Sequence, residues 1–176
     1  LIKTAPGLEQ RPIVRWLPDR FFGDAGQAGL LLYYTGITRV AQHILQEIVR
    51  HLFLNAGDTL SCLGAIGANA QAAADAIQRQ DFAAFADSIR QSWELNQQLD
   101  AGTNPPETQA ILDAIQDDLL AAKLLGAGGG GYFLFVARDA DAALRIRRKL
   151  TERPPNSRAR FVDFRISPTG MQITRS

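Results

Sequence analysis

The chain has 176 residues, with 46% hydrophobic and 21% charged residues and a formal net charge of +1. That length fits one domain, or one domain plus an arm, and the near-neutral balance argues against a nucleic-acid or membrane-surface partner. One cysteine, Cys62, excludes a disulfide framework and a zinc-finger spacing. No apolar run approaches the ~20 residues of a membrane span, and no secretory signal is present, so a reducing cytoplasm is expected. The chain opens on Leu1 and an extended-looking segment, which leads us to expect a piece of a longer polypeptide.

Residues 1–29 are rich in proline and glycine. Apart from a short strand expected over Ile13–Leu17, they read as an arm, the remnant of an upstream domain, that does not bury itself. Residues 30–176 read as the domain proper. Leu30–Tyr34 is a compact apolar strand ended by Thr35 and Gly36. From Ile37 to Phe53, apolar residues recur at helical spacing until Asn55 and Gly57 stop them. A second helix is expected from Asp58 or Thr59 to Arg79, with Gly64 and Gly67 suggesting close helix contact. Asp81 is placed to cap a third, whose core face is Phe82, Phe85, Ala86, Ile89 and Trp93. Asn104, Pro105 and Glu107 resemble a capping box at the start of a fourth. Asp139 or Asp141 opens a fifth helix, ended by Pro154 and Pro155. Two strands, Arg160–Ile166 and Met171–Thr174, follow around a Ser-Pro-Thr-Gly turn. The order of elements predicts an α+β fold, an antiparallel sheet with helices packed on one face.

Five of the fifteen glycines fall within Gly126–Gly131, between the strand-like Ala121–Leu125 and Tyr132–Val136. So costly a run in backbone entropy implies torsions that only glycine tolerates, or close approach to bare amides. Gly126, Gly128 and Gly131 satisfy G-x-G-x-x-G, but an aromatic strand follows instead of a helix, so no helix N-terminus awaits a pyrophosphate. No Gly-Lys-Ser/Thr follows either, which removes the phosphate loop of the nucleotide triphosphatases. A tight hairpin turn and a ligand-facing loop both remain open.

Other constellations are weaker. His43, Glu47 and His51 share a helix stripe, but the outer pair stands ~12 Å apart at 1.5 Å per residue, too far to share an ion, so no metal site is expected. Ser61, Ser88 and Ser92 fall inside helices and make no nucleophile set. Asp100, Thr103 and Asn104 cluster before the fourth helix, where turn and cap chemistry accounts for them unless that loop faces the glycine run. Trp16 and Trp93 read as packing residues. The arginines from Arg145 to Arg160 read as a solvated face.

From Lys123 to Gly131 the sequence resembles the third motif of the GHMP kinases, Lys-x-x-Gly-Ala-Gly-x-Gly-Gly, with Lys123, Gly126, Ala127, Gly128, Gly130 and Gly131 in place. The stretches PIVRWLPD (residues 12–19), LLYYTGITR (31–39), EIVRHLFLN (47–55) and LDAGTNPP (99–106) resemble the L-fucokinase branch, including forms fused to a fucose-1-phosphate guanylyltransferase. Related heptose-phosphate kinases share the LLYYTG-like strand. The resemblance implies a ferredoxin-like C-terminal domain and, in the whole enzyme, transfer of phosphate from ATP with Mg²⁺ to the anomeric hydroxyl of L-fucose or a related sugar. It further implies that Lys123, Gly126, Ala127, Gly128, Gly129, Gly130 and Gly131 form a wall of the active site. Thr35, Gly36, Arg39, Thr103 and Asn104 are secondary candidates, the last two on the sugar side. The upstream Pro-x-x-x-Gly-Leu-Gly-Ser-Ser phosphate loop is not in these 176 residues, and the family's catalytic Asp lies upstream as well. The fragment is therefore expected to be inactive alone, with the N-terminal kinase domain as its partner. A non-catalytic binding or subunit-contact module of the same shape is the alternative.

Overall fold

In the computed structural model, the described residues are 2–3, 13–14, 17–18, 21, 29–38, 46, 49–50, 53–54, 57–126 and 128–164. Two short strands, β1 (Ile2–Lys3) and β2 (Ile13–Val14), pair antiparallel to each other. The main sheet comprises β3 (Leu30–Tyr34), β4 (Leu119–Leu124), β5 (Tyr132–Ala137) and β6 (Arg160–Val162). Its order is β4-β5-β3-β6, antiparallel throughout. Between β3 and β4 lie α1 (Gly57–Arg79), α2 (Phe82–Leu99) and α3 (Pro106–Ile115); α4 (Ala140–Glu152) joins β5 to β6. The result is a ferredoxin-like β-α-β-β-α-β core with extra helices in its first crossover: the α+β class and antiparallel sheet are those expected from the sequence, but the helices expected on one face cover both, because the strands are apolar on both sides and each side buries against its own helix pair.

Alternation along the strands sorts the core into two clusters. Leu31 and Tyr33 of β3 join Phe133 and Phe135 of β5 beneath Ile111, Ile115, Ile146 and Leu150, from α3 and α4. Leu30 and Val136 point the other way and meet Ala76, Ile77, Phe85 and Ala86, from α1 and α2. Phe21 belongs to this second cluster, edge-on to Phe85 with ring centroids 5.3 Å apart. The N-terminal arm, expected not to bury itself, places this one residue in the core of the domain that follows. An aromatic side chain anchors it, and Ile2–Lys3 forms a strand that the sequence did not suggest.

Two of the expected caps hold. The Asp81 carboxylate accepts from the Ala84 amide at 3.0 Å, and that of Asp139 from Ala142 at 2.6 Å. The third does not. Pro105 occupies the cap position of α3, and the Asn104 side-chain oxygen Oδ1 accepts from the Thr108 hydroxyl instead of a backbone amide. Two prolines pre-set this helix start and leave no amide at either position for a side chain to satisfy. Gly64 and Gly67 also depart from expectation, since an added Cβ at either meets nothing within 4 Å. The small residues buried in α1 are Ala74 and Ala76 instead.

The basic C-terminal region is more engaged than a solvated face. Asp118, whose side chain is only 6% exposed, accepts from Arg145 Nε at 2.7 Å and Lys149 Nζ at 2.9 Å. Those two hydrogen bonds hold its carboxyl below the ordinary aspartate range, against the opposing effect of burial. The guanidinium groups of Arg147 and Arg160 lie 5.0 Å from the ring centroids of Phe161 and Tyr34. Within the helix expected over Ile37–Phe53, the described residues Gln46, Val49, Arg50 and Phe53 are helical, whereas Ile37 and Thr38 are not. His43, Glu47, His51, Trp16 and Met171–Thr174 lie outside the described residues.

Candidate functional site: the glycine loop and its braces

The loop joins the two strands at one end of the sheet, where Leu125 N donates to Tyr132 O at 2.8 Å. Gly126, Gly128, Gly129, Gly130 and Gly131 all have positive φ, from 71° upward to 151° when Gly36 is counted with them. Side chains rarely adopt that backbone, so the composition of the run follows from its torsions. Space adds a second constraint at alternate positions. A Cβ on Gly128 would stand 2.6 Å from the Thr103 carbonyl oxygen, and one on Gly130 would stand 2.5 Å from that of Ile37. At Gly126 and Gly131 it would meet nothing within 4 Å.

Of the braces on either side, Thr35, Gly36 and Thr103 are residues that sequence singled out separately. On one side, Gly129 N donates to Thr103 O at 2.7 Å, and the Thr103 hydroxyl donates to Asn96 O at 3.2 Å at the end of α2. On the other, Gly131 N donates to Ile37 O at 3.0 Å. Gly131 O accepts from both the amide and the hydroxyl of Thr35, at 2.8 and 3.0 Å. Thr35 is fully buried, and its hydroxyl also accepts from Ile37 N at 3.1 Å. Gly36, with φ of 71°, lies against Asn156, whose side-chain amide donates to Thr35 O at 2.8 Å. An added Cβ on Gly36 would stand 2.0 Å from Asn156 Oδ1. Thus Gly129 and Gly131 spend their amides on the braces. Among the described residues, the amides of Gly128 and Gly130 have no acceptor, which suits a loop turned toward an anion or water.

Lys123 secures the strand leading into the loop. Its amino group donates to the Ser92 hydroxyl on α2, and the Asn96 side-chain oxygen, turned toward it, accepts at 3.2 Å. Burial pushes the Lys123 pKa down. Lys123, Asn96, Thr103 and Gly129 therefore form a continuous polar link from β4 through α2 to the loop. Asn104 stands beside it, but its amide is committed within the protein: Nδ2 to Gln97 Oε1 at 3.0 Å and to Gln109 Oε1 at 2.6 Å, with Oδ1 taken by Thr108. It braces Thr108, beside the loop. Arg39 and Ala127 lie outside the described residues.

Sequence reasoning named Thr35, Gly36 and Thr103 without knowing that they converge on one loop. It missed Ile37, Asn96 and Asn156 as braces. Asn156 follows two prolines and reads only as a turn residue, because its partner is 121 positions away. Among the described residues, no three His, Cys, Asp or Glu side chains could hold a metal ion. The Lys123 amino group is held by Ser92 and Asn96 of α2. The loop contributes backbone, shape and rigidity.

Comparison with known proteins gives this geometry a family. Residues 73–156 match the family described as GHMP kinases C terminal. Over 177 aligned residues, the whole chain is 50% identical to a Bacteroides fragilis protein named L-fucokinase/L-fucose-1-P guanylyltransferase, of which it spans 19%. A bifunctional fucokinase/GDP-fucose pyrophosphorylase of Arabidopsis thaliana is 28% identical over 70% of the chain, which covers 12% of that protein. The chain thus spans a fifth or less of either relative. Among solved structures, the mevalonate kinase of L. major in complex with R-mevalonate superposes with a TM-score of 0.64 at 19% identity, over 75% of this chain and 40% of that one. A putative sugar kinase from Campylobacter jejuni gives 0.59 at 20% identity, over 89% and 41%. At those identities the likeness is one of fold. The matched segment, the sheet order and the superpositions agree: this chain contains a GHMP kinase C-terminal domain.

Proposed function

We propose that this chain is the C-terminal domain of an ATP-dependent kinase that phosphorylates the anomeric hydroxyl of L-fucose, giving fucose 1-phosphate. The observation that carries the reading is the 50% identity, sustained along the whole chain, to a protein named for fucokinase activity. The geometry supports a division of labour. The loop of residues 126–131, braced by Thr35, Ile37 and Thr103, forms one wall of the cleft and turns the amides of Gly128 and Gly130 toward it. ATP, Mg²⁺ and the proton-accepting carboxylate are supplied by an N-terminal kinase domain of the same polypeptide, in the cytoplasm. Phosphoryl transfer depends on positioning and on neutralising charge at the phosphate, so a wall without those groups is inactive alone. In this reading Lys123 is a positioning residue, acting through α2 and Thr103.

The test is ADP release by the longer protein on a panel of L-fucose, other free hexoses and heptose phosphates, with the isolated 176-residue chain run in parallel. L-fucose is expected to be turned over with the highest kcat/KM, and the isolated chain to release no ADP above background. Preference for a heptose phosphate by tenfold or more, about 1.4 kcal/mol in transition-state binding, would replace the substrate while keeping the kinase. No turnover of any sugar would favour a non-catalytic module of this fold.

A further inference from the structure

The glycine loop has little stiffness of its own, so its shape is imposed by what holds it. Its two sides are held differently. Thr103, on one side, belongs to a turn tied to α2, its amide donating to Asp100 O at 3.1 Å and its hydroxyl to Asn96 O at 3.2 Å. Thr35, on the other, lies just past β3, and residues 35–38 belong to no helix or strand. Both donors of Thr35 go to Gly131 O, so the backbone group left to fix Thr35 from behind is its carbonyl. Asn156 takes that carbonyl, its Nδ2 donating to Thr35 O at 2.8 Å. Thr35 is fully buried, so without this donor its carbonyl would be a buried acceptor in need of a partner.

Asn156 is itself held in one orientation. Pro154 and Pro155 precede it and fix the backbone on which it enters. Its Oδ1 accepts from the amides of Arg158 at 3.0 Å and Ala159 at 3.1 Å, and its backbone oxygen accepts from Ala159 at 3.3 Å. With two N–H groups facing Oδ1 and a carbonyl facing Nδ2, only one setting of the side-chain amide satisfies both ends. Gly36 completes the fit. A Cβ there would stand 2.0 Å from Asn156 Oδ1 and 2.9 Å from the Ala159 amide nitrogen, so the turn between α4 and β6 closes on bare backbone.

We propose that Asn156 is a positioning residue for phosphoryl transfer. Through the Thr35 carbonyl it fixes Gly131, and with it the Gly130 amide, at the wall of the cleft. The proposal rests on the kinase function given above and adds to it the turn between α4 and β6, which is remote from the loop in sequence. Asn156→Asp isolates the effect. It keeps the shape and the Oδ1 acceptor for Arg158 and Ala159, but it sets a carboxylate oxygen against the Thr35 carbonyl.

Steady-state kinetics of the longer protein with ATP and L-fucose tests it. Asn156→Asp is expected to lower kcat about tenfold or more, since a displacement of ~1 Å at a reacting site costs about a hundredfold. KM for ATP and for the sugar is expected to stay within about threefold, because an interaction needed only in the transition state lowers kcat without weakening substrate binding. If Asn156→Asp does not accumulate as folded protein, Asn156→Ala removes the same donor without adding charge and carries the same expectation. Asn69→Ala is the control for lost stability. It breaks a bond of the same kind, from Nδ2 to Ser88 O at 2.9 Å between α1 and α2. It is expected to lower the unfolding midpoint and to keep parental kcat. Parental kcat in Asn156→Asp overturns the proposal. So does an equal fall in kcat for Asn69→Ala, or a rise in KM that accounts for the whole loss in kcat/KM. These results require turnover by the parent, which separates them from failure of the functional reading; a parent that phosphorylates no sugar removes both.

Discussion

Gly128→Val is expected to abolish phosphorylation by the longer protein and to destabilise this domain by about 2–5 kcal/mol. Two costs combine. A left-handed residue with a side chain costs roughly 1–2 kcal/mol, and Gly128 sits at φ of 94°. Forcing extra atoms into an occupied space costs about 1–3 kcal/mol more, and the first of them would stand 2.6 Å from the Thr103 backbone oxygen. That oxygen holds the Gly129 amide, so the strain falls on the brace itself. A displacement of ~1 Å at a reacting site costs about a hundredfold in rate, so kcat should drop at least that far even where the protein stays folded. Gly126→Ala is the control. Its φ of 86° carries the same backbone penalty, but the new methyl meets nothing, so only the first cost applies. Urea unfolding and ADP release on both variants would show the difference. A Gly128→Val protein with parental stability and turnover would remove the loop from any account of function.

Phe133→Ala is expected to cost about 3–5 kcal/mol, the usual range for an aromatic side chain deleted from a packed core. Phe133 is the second residue after the loop and is fully buried. Trp93 meets its ring edge-on at 6.1 Å, and Phe135 stacks on it at 5.2 Å. Through Trp93 it ties β5 to α2, the helix that carries Ser92 and Asn96, so its loss would loosen the polar link from Lys123 to Gly129 as well. For a marginally stable domain, a loss of this size populates unfolded chain at ordinary temperatures. Phe133→Leu, which refills most of the space, should recover more than half of the loss. An unfolding midpoint for Phe133→Ala within a degree of the parent would mean that the two core clusters are not organised around β5.

The same residues show how far the sequence carries. Strands β3 and β5 were legible because apolar and aromatic residues run unbroken between turn signals. The caps at Asp81 and Asp139 were legible because a cap is a contact over three residues. The cap at Asn104 was misread. Its neighbouring prolines pre-set the helix start, and its amide found longer-range partners in Gln97 and Gln109. Gly64 and Gly67 suggested a close helix contact that Ala74 and Ala76 make instead, because small residues mark a contact only where the facing helix comes near. Thr35, Gly36 and Thr103 were visible as individual turn and cap residues. Their convergence on one loop was not, since Thr35 lies 96 positions from Gly131 and sequence spacing carries no information about that contact. The family motif narrowed the search to the loop, and the braces could be found only in three dimensions.

Amide hydrogen exchange on the longer protein, with and without L-fucose and a non-hydrolysable ATP analogue, tests most directly whether this loop walls an active site. Exchange in the segment containing residues 126–131 should slow when both ligands are present, while the exposed face of α1 around residues 64–72 should not change. Protection elsewhere in the protein, with the glycine loop exchanging at the same rate in both states, would contradict the assignment.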